Sequence, residues 1–335
     1  MRSIPTSEAP PEQSLSWLTA LQRSYDAVRR APRPALTRKL RQASPTIERS
    51  GYAVPEGPEI RRAADRIERA LGGHEAEQVS FAFPRLHRYQ KRLAGVTVES
   101  IETHGKAMLL HFGNGLSIYS HSQLYGRWYV MQRGSLPRTG RSLRLAIHTA
   151  RKSALLYSAS EIDVMQRSKL GRHRFLAKLG PDLLAPGSDE AALMAHVSEP
   201  RFARRQLQAL LLDQSFIAGV GNYLRSEILF VARLHPRQRL GDLDEQERRR
   251  LAQAIRGVGR RAYRTGGITN DEKRVRELKQ QGMRRGAYRH HVFTRGGKPC
   301  WNCGTKVRSE VISGRKVFHC PRCQREAQIP GQRRK

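Results

Sequence analysis

The alternation of hydrophobic and polar residues predicts a β-rich segment early in the chain. Between residues 79 and about 157, short apolar or alternating runs are separated by Gly, Pro and Asn, as in a β-sandwich or barrel. The predicted strands cover residues 96–103, 107–112, 116–119, 143–149 and 154–157. The first patterned part of the chain is therefore interpreted as a β domain.

Helical periodicity lies on both sides of these strands. A helix precedes them, ends at Gly72 and Gly73, and has the apolar positions Ile60, Ala63, Ala64, Ile67, Ala70 and Leu71. After a Gly- and Pro-rich linker at 179–187, the helical period runs from residue 189 to about 262. Within it we predict a helix over 207–216, a turn over 217–221 and a second helix with Asn222 as its N-cap. Such a helix start binds phosphate, although an ordinary turn between two helices has the same pattern.

The two ends of the chain lack a sustained period. Residues 1–54 hold scattered Pro and Arg, with nine basic and four acidic residues, and we expect most of this segment to be disordered. Residues 326–335 form a basic tail that suits non-specific contact with phosphate. The structured domains are therefore expected between these ends.

Composition and charge narrow the class of protein. The 335 residues are 38% hydrophobic, enough to fill the cores of two or three domains, and carry a formal net charge of +33. No run is long and apolar enough for a spanning helix, and no secretory signal is present. We expect a soluble, cytoplasmic protein whose leading partner is nucleic acid, with an anionic membrane surface or a merely solvated basic surface as alternatives.

All four cysteines lie near the C-terminus in two Cys-x-x-Cys pairs separated by sixteen residues: Cys300, Cys303, Cys320 and Cys323. Each pair presents two sulfurs on one side of a tight turn, and the residues between the pairs fit one β-hairpin. Two disulfides or a redox dithiol are the alternatives, and an intracellular chain with doubled spacing disfavours both. The pattern predicts one structural Zn2+ with no open coordination position.

Several short motifs, in order and spacing, resemble the endonuclease VIII branch of the formamidopyrimidine-DNA glycosylase family. They are PEGPEIRRAA at 55–64, GKA at 105–107, SQLYG at 122–126, LLYSAS at 155–160, LLDQ at 211–214, GVGNYLR at 219–225 and the zinc hairpin. The resemblance implies a multidomain α+β fold with DNA held between its two halves. Its parts are a β-sandwich with a flanking helix at 55–178, the linker, a helix-two-turn-helix domain at 188–285 and a zinc-finger hairpin at 290–325.

The resemblance also implies a set of catalytic residues. Pro55 is the expected nucleophile, because in this family an N-terminal proline amine attacks C1′ of the damaged nucleotide and forms a Schiff base. Glu56 is expected to transfer protons during base loss and ring opening, with Glu59 in support. Lys106 is expected to contact DNA and assist catalysis. Without the resemblance, Pro55 to Glu59 would be a plain helix start and Lys106 a solvated turn residue.

The same resemblance assigns residues that hold the DNA. Gln123, Leu124 and Tyr125 match the side chains that fill the duplex after the damaged nucleotide is flipped out; by pattern alone this triplet would be strand core. Asn222 and Arg315 match phosphate clamps beside the flipped nucleotide, and Arg315 is also a possible proton donor in δ-elimination.

One feature departs from the family: as written, 54 residues precede Pro55, so its nitrogen is an amide and not a nucleophile. Val54 occupies the place of the family's initiator Met. We therefore predict that translation starts at residue 54 and that residues 1–53 are not translated; proteolytic maturation, or a real extension without lyase chemistry, are the alternatives.

The expected function is removal of oxidised pyrimidines from double-stranded DNA, followed by abasic-site cleavage through β,δ-elimination, by a monomeric enzyme. Gly57 and the Gln-Leu-Tyr triplet resemble the endonuclease VIII branch, which repairs pyrimidines, and this resemblance implies the preference. Two alternatives remain open. One is a glycosylase for oxidised purines such as 8-oxoguanine or formamidopyrimidine, and the other is a catalytically silent, zinc-containing DNA-binding protein.

Overall fold

The structure is a computed structural model that describes residues 54–312 and 314–325. The predictions for residues 1–53 and for the basic tail at 326–335 lie outside the described residues. In the described ranges, no helix has the length and apolar character needed to cross a membrane.

Two antiparallel sheets form the first half of the described chain. One sheet has the order β1-β3-β4-β5-β9 and the other β2-β7-β8-β6. The strands are β1 (Glu75–Ala76), β2 (Gln78–Phe81), β3 (Val96–His104), β4 (Ala107–Phe112), β5 (Leu116–His121), β6 (Arg127–Gln132), β7 (Leu143–His148), β8 (Lys152–Tyr157) and β9 (Glu161–Gln166). The five predicted strands correspond to β3, β4, β5, β7 and β8.

The four strands that the pattern did not predict are the edge strands of the two sheets: β1, β9, β2 and β6. Edge strands are short or half-exposed and carry charged residues, which weakens the hydrophobic alternation. β6 begins with an exposed arginine and β9 with a glutamate, and neither is apolar on both faces.

A single helix, α1 (Gly57–Leu71), closes the sandwich core. Its residues Ile60, Ala64, Ile67 and Leu71 are at most 4% exposed and pack with the inner faces of both sheets, as the helical spacing predicts. The helix ends at Gly72, and Gly73 has φ of +73°, a conformation that glycine adopts without strain. The motif at residues 55–59 therefore lies at the start of a helix that is anchored along its whole length.

The second half of the chain is helical around its own core. Its helices are α3 (Glu190–Val197), α4 (Leu207–Leu210), α5 (Asn222–Ala232), α6 (Glu245–Thr265), α7 (Glu272–Gln280) and α8 (Arg285–Tyr288); the short α2 (Gln90–Leu93) belongs to the sandwich. Short 3-10 helices cover Pro84–Tyr89, Arg167–Arg172, Leu176–Lys178, Pro200–Phe202 and Leu240–Asp242. The predicted linker is held to this half, since the Leu183 amide donates to the Ala218 carbonyl at 3.0 Å.

The prediction of one helix over residues 207–216 was wrong. The α-helix ends at Leu210, and the chain then makes tight turns. Asp213 causes the change, because its carboxylate accepts hydrogen bonds from the Ser215 amide at 2.8 Å and the Ser215 hydroxyl at 2.7 Å. Asp and Ser form such local bonds in place of the helical ladder.

A two-stranded hairpin, β10 (Arg308–Ile312) and β11 (Arg315–His319), lies between the two Cys-x-x-Cys turns, as predicted. Phe318 of the hairpin packs with Phe230 of α5 and with Val292, so the hairpin shares a small core with the helical half. This packing joins the C-terminal module to the helix that starts at Asn222.

Candidate active site

Glu56 lies where the two halves meet. It precedes α1, and its carboxylate accepts hydrogen bonds from the amides of Gly221 (2.7 Å), Tyr223 (2.8 Å) and Leu224 (3.2 Å) at the start of α5. Only 3% of Glu56 is exposed. A side chain from the sandwich thus satisfies the free amides of a helix in the other half.

The predicted N-cap at Asn222 was wrong by one position. Gly221 is the N-cap, and Asn222 is the first helical residue. Gly221 has no side chain to cap the helix, and there is no room for one: a Cβ there would lie 2.3 Å from Cδ of Glu56. The capping group comes instead from Glu56, far away in sequence.

Three glycines allow the two halves to approach each other. The Gly57 amide donates to the Gly219 carbonyl at 2.8 Å, and a Cβ on Gly57 would lie 3.0 Å from Cα of Gly219. Gly105, at φ of +61°, would place a Cβ 3.0 Å from the Gly219 nitrogen. Backbone segments from the helix start, the β3–β4 turn and the α5 turn therefore meet directly at the site.

Glu59 forms a second carboxylate beside the first. It accepts a hydrogen bond from the Glu56 amide at 3.2 Å and from the Tyr223 hydroxyl at 3.0 Å, and it lies 3.5 Å from the Arg289 guanidinium. Burial raises the pKa of Glu59, against the lowering effect of these donors. Tyr223 therefore contacts both acids, one through its amide and one through its hydroxyl.

Lys106 lies in the turn between β3 and β4, half-buried. Burial lowers the pKa of its ammonium group, the nearby Glu56 carboxylate raises it and Arg315 lowers it. The fold thus brings Glu56 and Arg315 within electrostatic reach of Lys106, although the three residues come from separate segments. Pro55 is half-buried next to Glu56, and its nitrogen is in peptide linkage to Val54.

Burial is also the main cause of the shifted titration of Glu56. It raises the pKa from 4.5 to about 7, while Lys106 and the Tyr223 amide act in the opposite direction. A carboxyl group that titrates near neutral pH can donate a proton and take it back during turnover. This arrangement suits general acid–base chemistry.

The Glu56 pKa predicts a pH-dependent stability. A carboxyl group whose pKa is raised on folding contributes most below its unfolded pKa of 4.5, and that contribution is lost as pH rises to about 7. Wild-type protein is expected to lose on the order of 3 kcal/mol relative to Glu56→Gln between these limits. Denaturant unfolding of both proteins from pH 4.5 to 7.5 measures the difference; parallel curves would contradict the assignment.

The four cysteines converge at the base of the C-terminal hairpin. Their sulfurs all lie within 4.8 Å of one another, with Cys303 and Cys320 at 3.4 Å and Cys300 and Cys323 at 3.9 Å. Tetrahedral zinc with bonds of about 2.3 Å requires sulfurs about 3.8 Å apart. The donor set therefore fits one structural Zn2+ bound by four thiolates.

Comparison with known proteins places these pieces in one family. The sequence model of the formamidopyrimidine-DNA glycosylase N-terminal domain matches residues 54–160, and that of the family's H2TH domain matches residues 179–273. Endonuclease 8 of Escherichia coli is 44% identical over 271 residues, which is 81% of this chain and 100% of the relative. Endonuclease 8 of Shigella sonnei is 43% identical over the same span. The chain belongs to the formamidopyrimidine-DNA glycosylase family.

Solved structures agree on the fold. The Lactococcus lactis formamidopyrimidine-DNA glycosylase, crystallised with DNA that contains an oxidised pyrimidine, has a TM-score of 0.67 at 21% identity, with 81% of this chain and 100% of that chain covered. The same enzyme with abasic-site DNA has a TM-score of 0.66 at 20% identity. The predicted fold class, β-sandwich, helix-two-turn-helix domain and zinc hairpin, is confirmed.

The residues expected to fill the flipped-out position in a glycosylase of this family lie in the loop between β5 and β6. Leu124 is 49% and Tyr125 64% exposed, so they are not strand core. Gln123 has φ of +46°, and its side chain donates to Glu161 at 3.1 Å and accepts from Ser160 at 2.7 Å. We call residues 123–125 the wedge loop. The wedge loop exposes a leucine and a tyrosine side chain to solvent, and the hydrogen bonds of Gln123 hold the loop in place.

The two expected phosphate contacts are joined through a residue that the sequence analysis did not single out. Arg225 is 1% exposed and donates to Oδ1 of Asn222 at 2.6 Å and to the Lys316 carbonyl at 2.9 Å. Lys316 follows Arg315, which is exposed at the start of β11. Arg225 therefore fixes Asn222 relative to the hairpin that carries Arg315.

Tyr223 was also missed as a site residue, although both it and Arg225 fall in the quoted GVGNYLR motif. Their signal was that polar side chains occupy buried positions in the first turns of α5. Helical periodicity alone treats such positions as core, and only the contacts with Glu59 and Asn222 distinguish them.

Proposed function

We propose that this chain removes oxidised pyrimidines from duplex DNA and then cleaves the abasic strand, acting as a cytoplasmic monomer. The observation that carries the proposal is Glu56, a buried carboxyl group next to Pro55 with a pKa of about 7. A carboxyl group that titrates near neutral pH donates and recovers a proton efficiently, which suits base release. Family membership supplies the reaction class.

Pro55 initiates the reaction as a secondary amine. Its nitrogen attacks C1′, the bond from C1′ to the base breaks, and the base leaves with a proton from the acid pair. Opening of the sugar ring gives an iminium ion, which acidifies the 2′ proton. Loss of that proton expels the 3′ phosphate, and a second elimination expels the 5′ phosphate. Water then hydrolyses the iminium and returns the free amine.

Glu56 and Lys106 have different roles in this series of reaction steps. Glu56 delivers and recovers protons, and the Lys106 ammonium, whose charge interacts with Glu56, stabilises developing negative charge. Asn222 and Arg315 hold the flanking phosphates, and the wedge loop fills the space that the flipped nucleotide leaves.

This chemistry requires a free amine, so we propose that the active chain begins at Pro55. An amide nitrogen has no available lone pair for attack on C1′. Start of translation at residue 54, followed by removal of the first residue, would provide the amine; proteolysis of the Val54–Pro55 bond would do the same.

A direct test compares three proteins: the chain from Met1, the chain from Pro55, and the Pro55→Gly variant of the latter. We expect only the Pro55 chain to nick abasic duplex DNA, to release thymine glycol and to form a covalent adduct with DNA in borohydride. Mass spectrometry of the adduct should map the DNA to Pro55. Full lyase activity of Pro55→Gly would refute the nucleophile.

The alternatives give different results in the same assays. A silent DNA-binding protein would bind the duplex but show no nicking from either start. A purine glycosylase would nick abasic DNA and release 8-oxoguanine in preference to thymine glycol. Either result would replace the proposed activity.

The wedge loop predicts a defect that depends on base pairing. Flipping a base out of a duplex costs a few kcal/mol, and Leu124 is expected to offset part of it. Leu124→Ala should slow thymine glycol excision from duplex DNA about tenfold, with little change for a single-stranded substrate. Leu136→Ala removes another exposed leucine, 66% accessible against 49% for Leu124, from a different loop and is the control. Equal rates of excision by the two variants from duplex DNA would contradict the wedge role.

A further inference from the structure

A shallow groove of about 180 Å³ lies between α1 and β6, lined by Arg66, Arg127 and Trp128 among others. Both arginines are exposed, and Trp128 forms a wall that is only 6% exposed. None of these residues has a part in the proposed chemistry. We call this feature the arginine groove.

The groove lies in a cluster of four positive charges. Arg62, Arg66 and Arg69 follow one another on one face of α1, and burial together with Arg62, Arg127 and Arg69 lowers the pKa of Arg66. Across residues 54–312 and 314–325, none of the four forms an ion pair. Arg62 donates to the carbonyls of Tyr263 at 2.8 Å and Arg264 at 3.3 Å at the end of α6. In the described residues, no carboxylate therefore pairs with the positive charge at the groove.

The acids nearest in sequence are committed elsewhere. Asp65 pairs with Arg61 at 2.8 Å and accepts a hydrogen bond from the Tyr263 hydroxyl at 2.6 Å. Glu68 accepts a hydrogen bond from the Ile101 amide. Both carboxylates thus serve contacts with α6 or β3 and do not neutralise the cluster.

A buried donor adds to this picture. The Trp128 indole nitrogen is buried and has no hydrogen-bond partner in the described part of the chain. An indole N–H is a donor only, and buried donors are almost always paired. Trp128 lines the same groove as the two arginines, and because its indole nitrogen is buried, the two exposed guanidinium groups are the donors that a ligand in the groove would meet.

We propose that the arginine groove is a binding site for a phosphate-type oxyanion. Guanidinium groups bind phosphate oxygens in a bidentate manner, and an anion would relieve the repulsion among the four arginines. The phosphate belongs either to the backbone of bound DNA, beyond the active site, or to a free phosphate group. The proposal goes beyond the glycosylase reaction and does not depend on it.

The test uses a double variant, Arg66→Gln with Arg127→Gln, and a matched control, Lys91→Gln with Arg92→Gln. The control removes the same charge from two exposed residues at α2. Thermal unfolding and tryptophan fluorescence are followed as inorganic phosphate is added at constant ionic strength. We expect saturable stabilisation of wild type and control, and a loss of at least half of it in the Arg66/Arg127 variant.

A second arm measures binding of undamaged duplex DNA over a range of salt concentrations. Loss of one or two phosphate contacts should reduce the slope of log Kd against log salt by about 1 to 2. A changed phosphate response supports the site with free phosphate as ligand; a changed salt slope alone supports it with DNA backbone as ligand. Identical behaviour of the Arg66/Arg127 variant and the control in both arms overturns the proposal. Unchanged zinc content and a ligand-free melting temperature no lower than that of wild type verify folding of the variant, since loss of two mutually repelling charges raises it if it changes at all.

Discussion

Replacement of Gly221 by alanine is expected to lower the rate of abasic-site nicking by the Pro55 chain about 100-fold or more. The new Cβ would lie 2.3 Å from Cδ and 2.5 Å from Oε1 of Glu56, so the carboxylate must leave its place at the start of α5. The three hydrogen bonds that the Glu56 carboxyl group accepts are lost, and we expect a stability loss of about 2–4 kcal/mol. Single-turnover nicking and thermal unfolding measure the two effects.

Gly257 provides the control for this substitution. It lies within α6, and a Cβ there would meet nothing within 4 Å. Gly257→Ala should keep the wild-type rate and gain up to about 1 kcal/mol, because alanine favours the helix more than glycine does. A wild-type rate in Gly221→Ala would show that the Glu56 position is not needed for catalysis.

Removal of the zinc is expected to abolish high-affinity DNA binding. The four thiolates hold both turns of the hairpin that carries Arg315, and the hairpin core is small. Structural zinc contributes about 10 kcal/mol or more to such modules. Cys320→Ser should release the metal, lower the melting temperature and weaken binding to abasic DNA at least tenfold. Metal analysis, thermal unfolding and a binding titration measure these changes.

The Arg315→Ala variant distinguishes the effect of the zinc from the effect of the phosphate contact that Arg315 is proposed to make. This variant should retain one zinc per chain and the wild-type melting temperature, because Arg315 is exposed. Its salt slope for DNA binding should fall by about 1. Zinc-free protein with unchanged DNA affinity would contradict a role for the metal in positioning the hairpin.

The predictions for Gly221 and for the zinc site both concern the residues around the start of α5. α5 is contacted by Glu56 from the sandwich and by the hairpin through Arg225. The start of this one helix therefore positions both the proposed acid and the proposed phosphate contacts. Gly221→Ala is therefore expected to reduce the rate of nicking strongly, and Cys320→Ser to weaken DNA binding strongly, although each substitution changes only a few atoms.

The sequence by itself determined the central strands, helix α1 and the zinc site. Each depends on local information: alternation along β3, β4, β5, β7 and β8, a repeat of apolar residues in α1, and two Cys-x-x-Cys turns at metal spacing. The family motifs added the expected site residues, because a match in residue order and spacing needs no knowledge of the fold.

Tertiary structure alone decided the properties of the site. The pKa of Glu56 depends on burial against α5, the need for glycine at 221 depends on a side chain 165 positions away, and the link from Asn222 to the hairpin runs through Arg225. Edge strands and the end of α4 at Leu210 also escaped the pattern. The physical reason is common to all: these features arise from contacts between segments remote in sequence, which hydrophobic periodicity does not record.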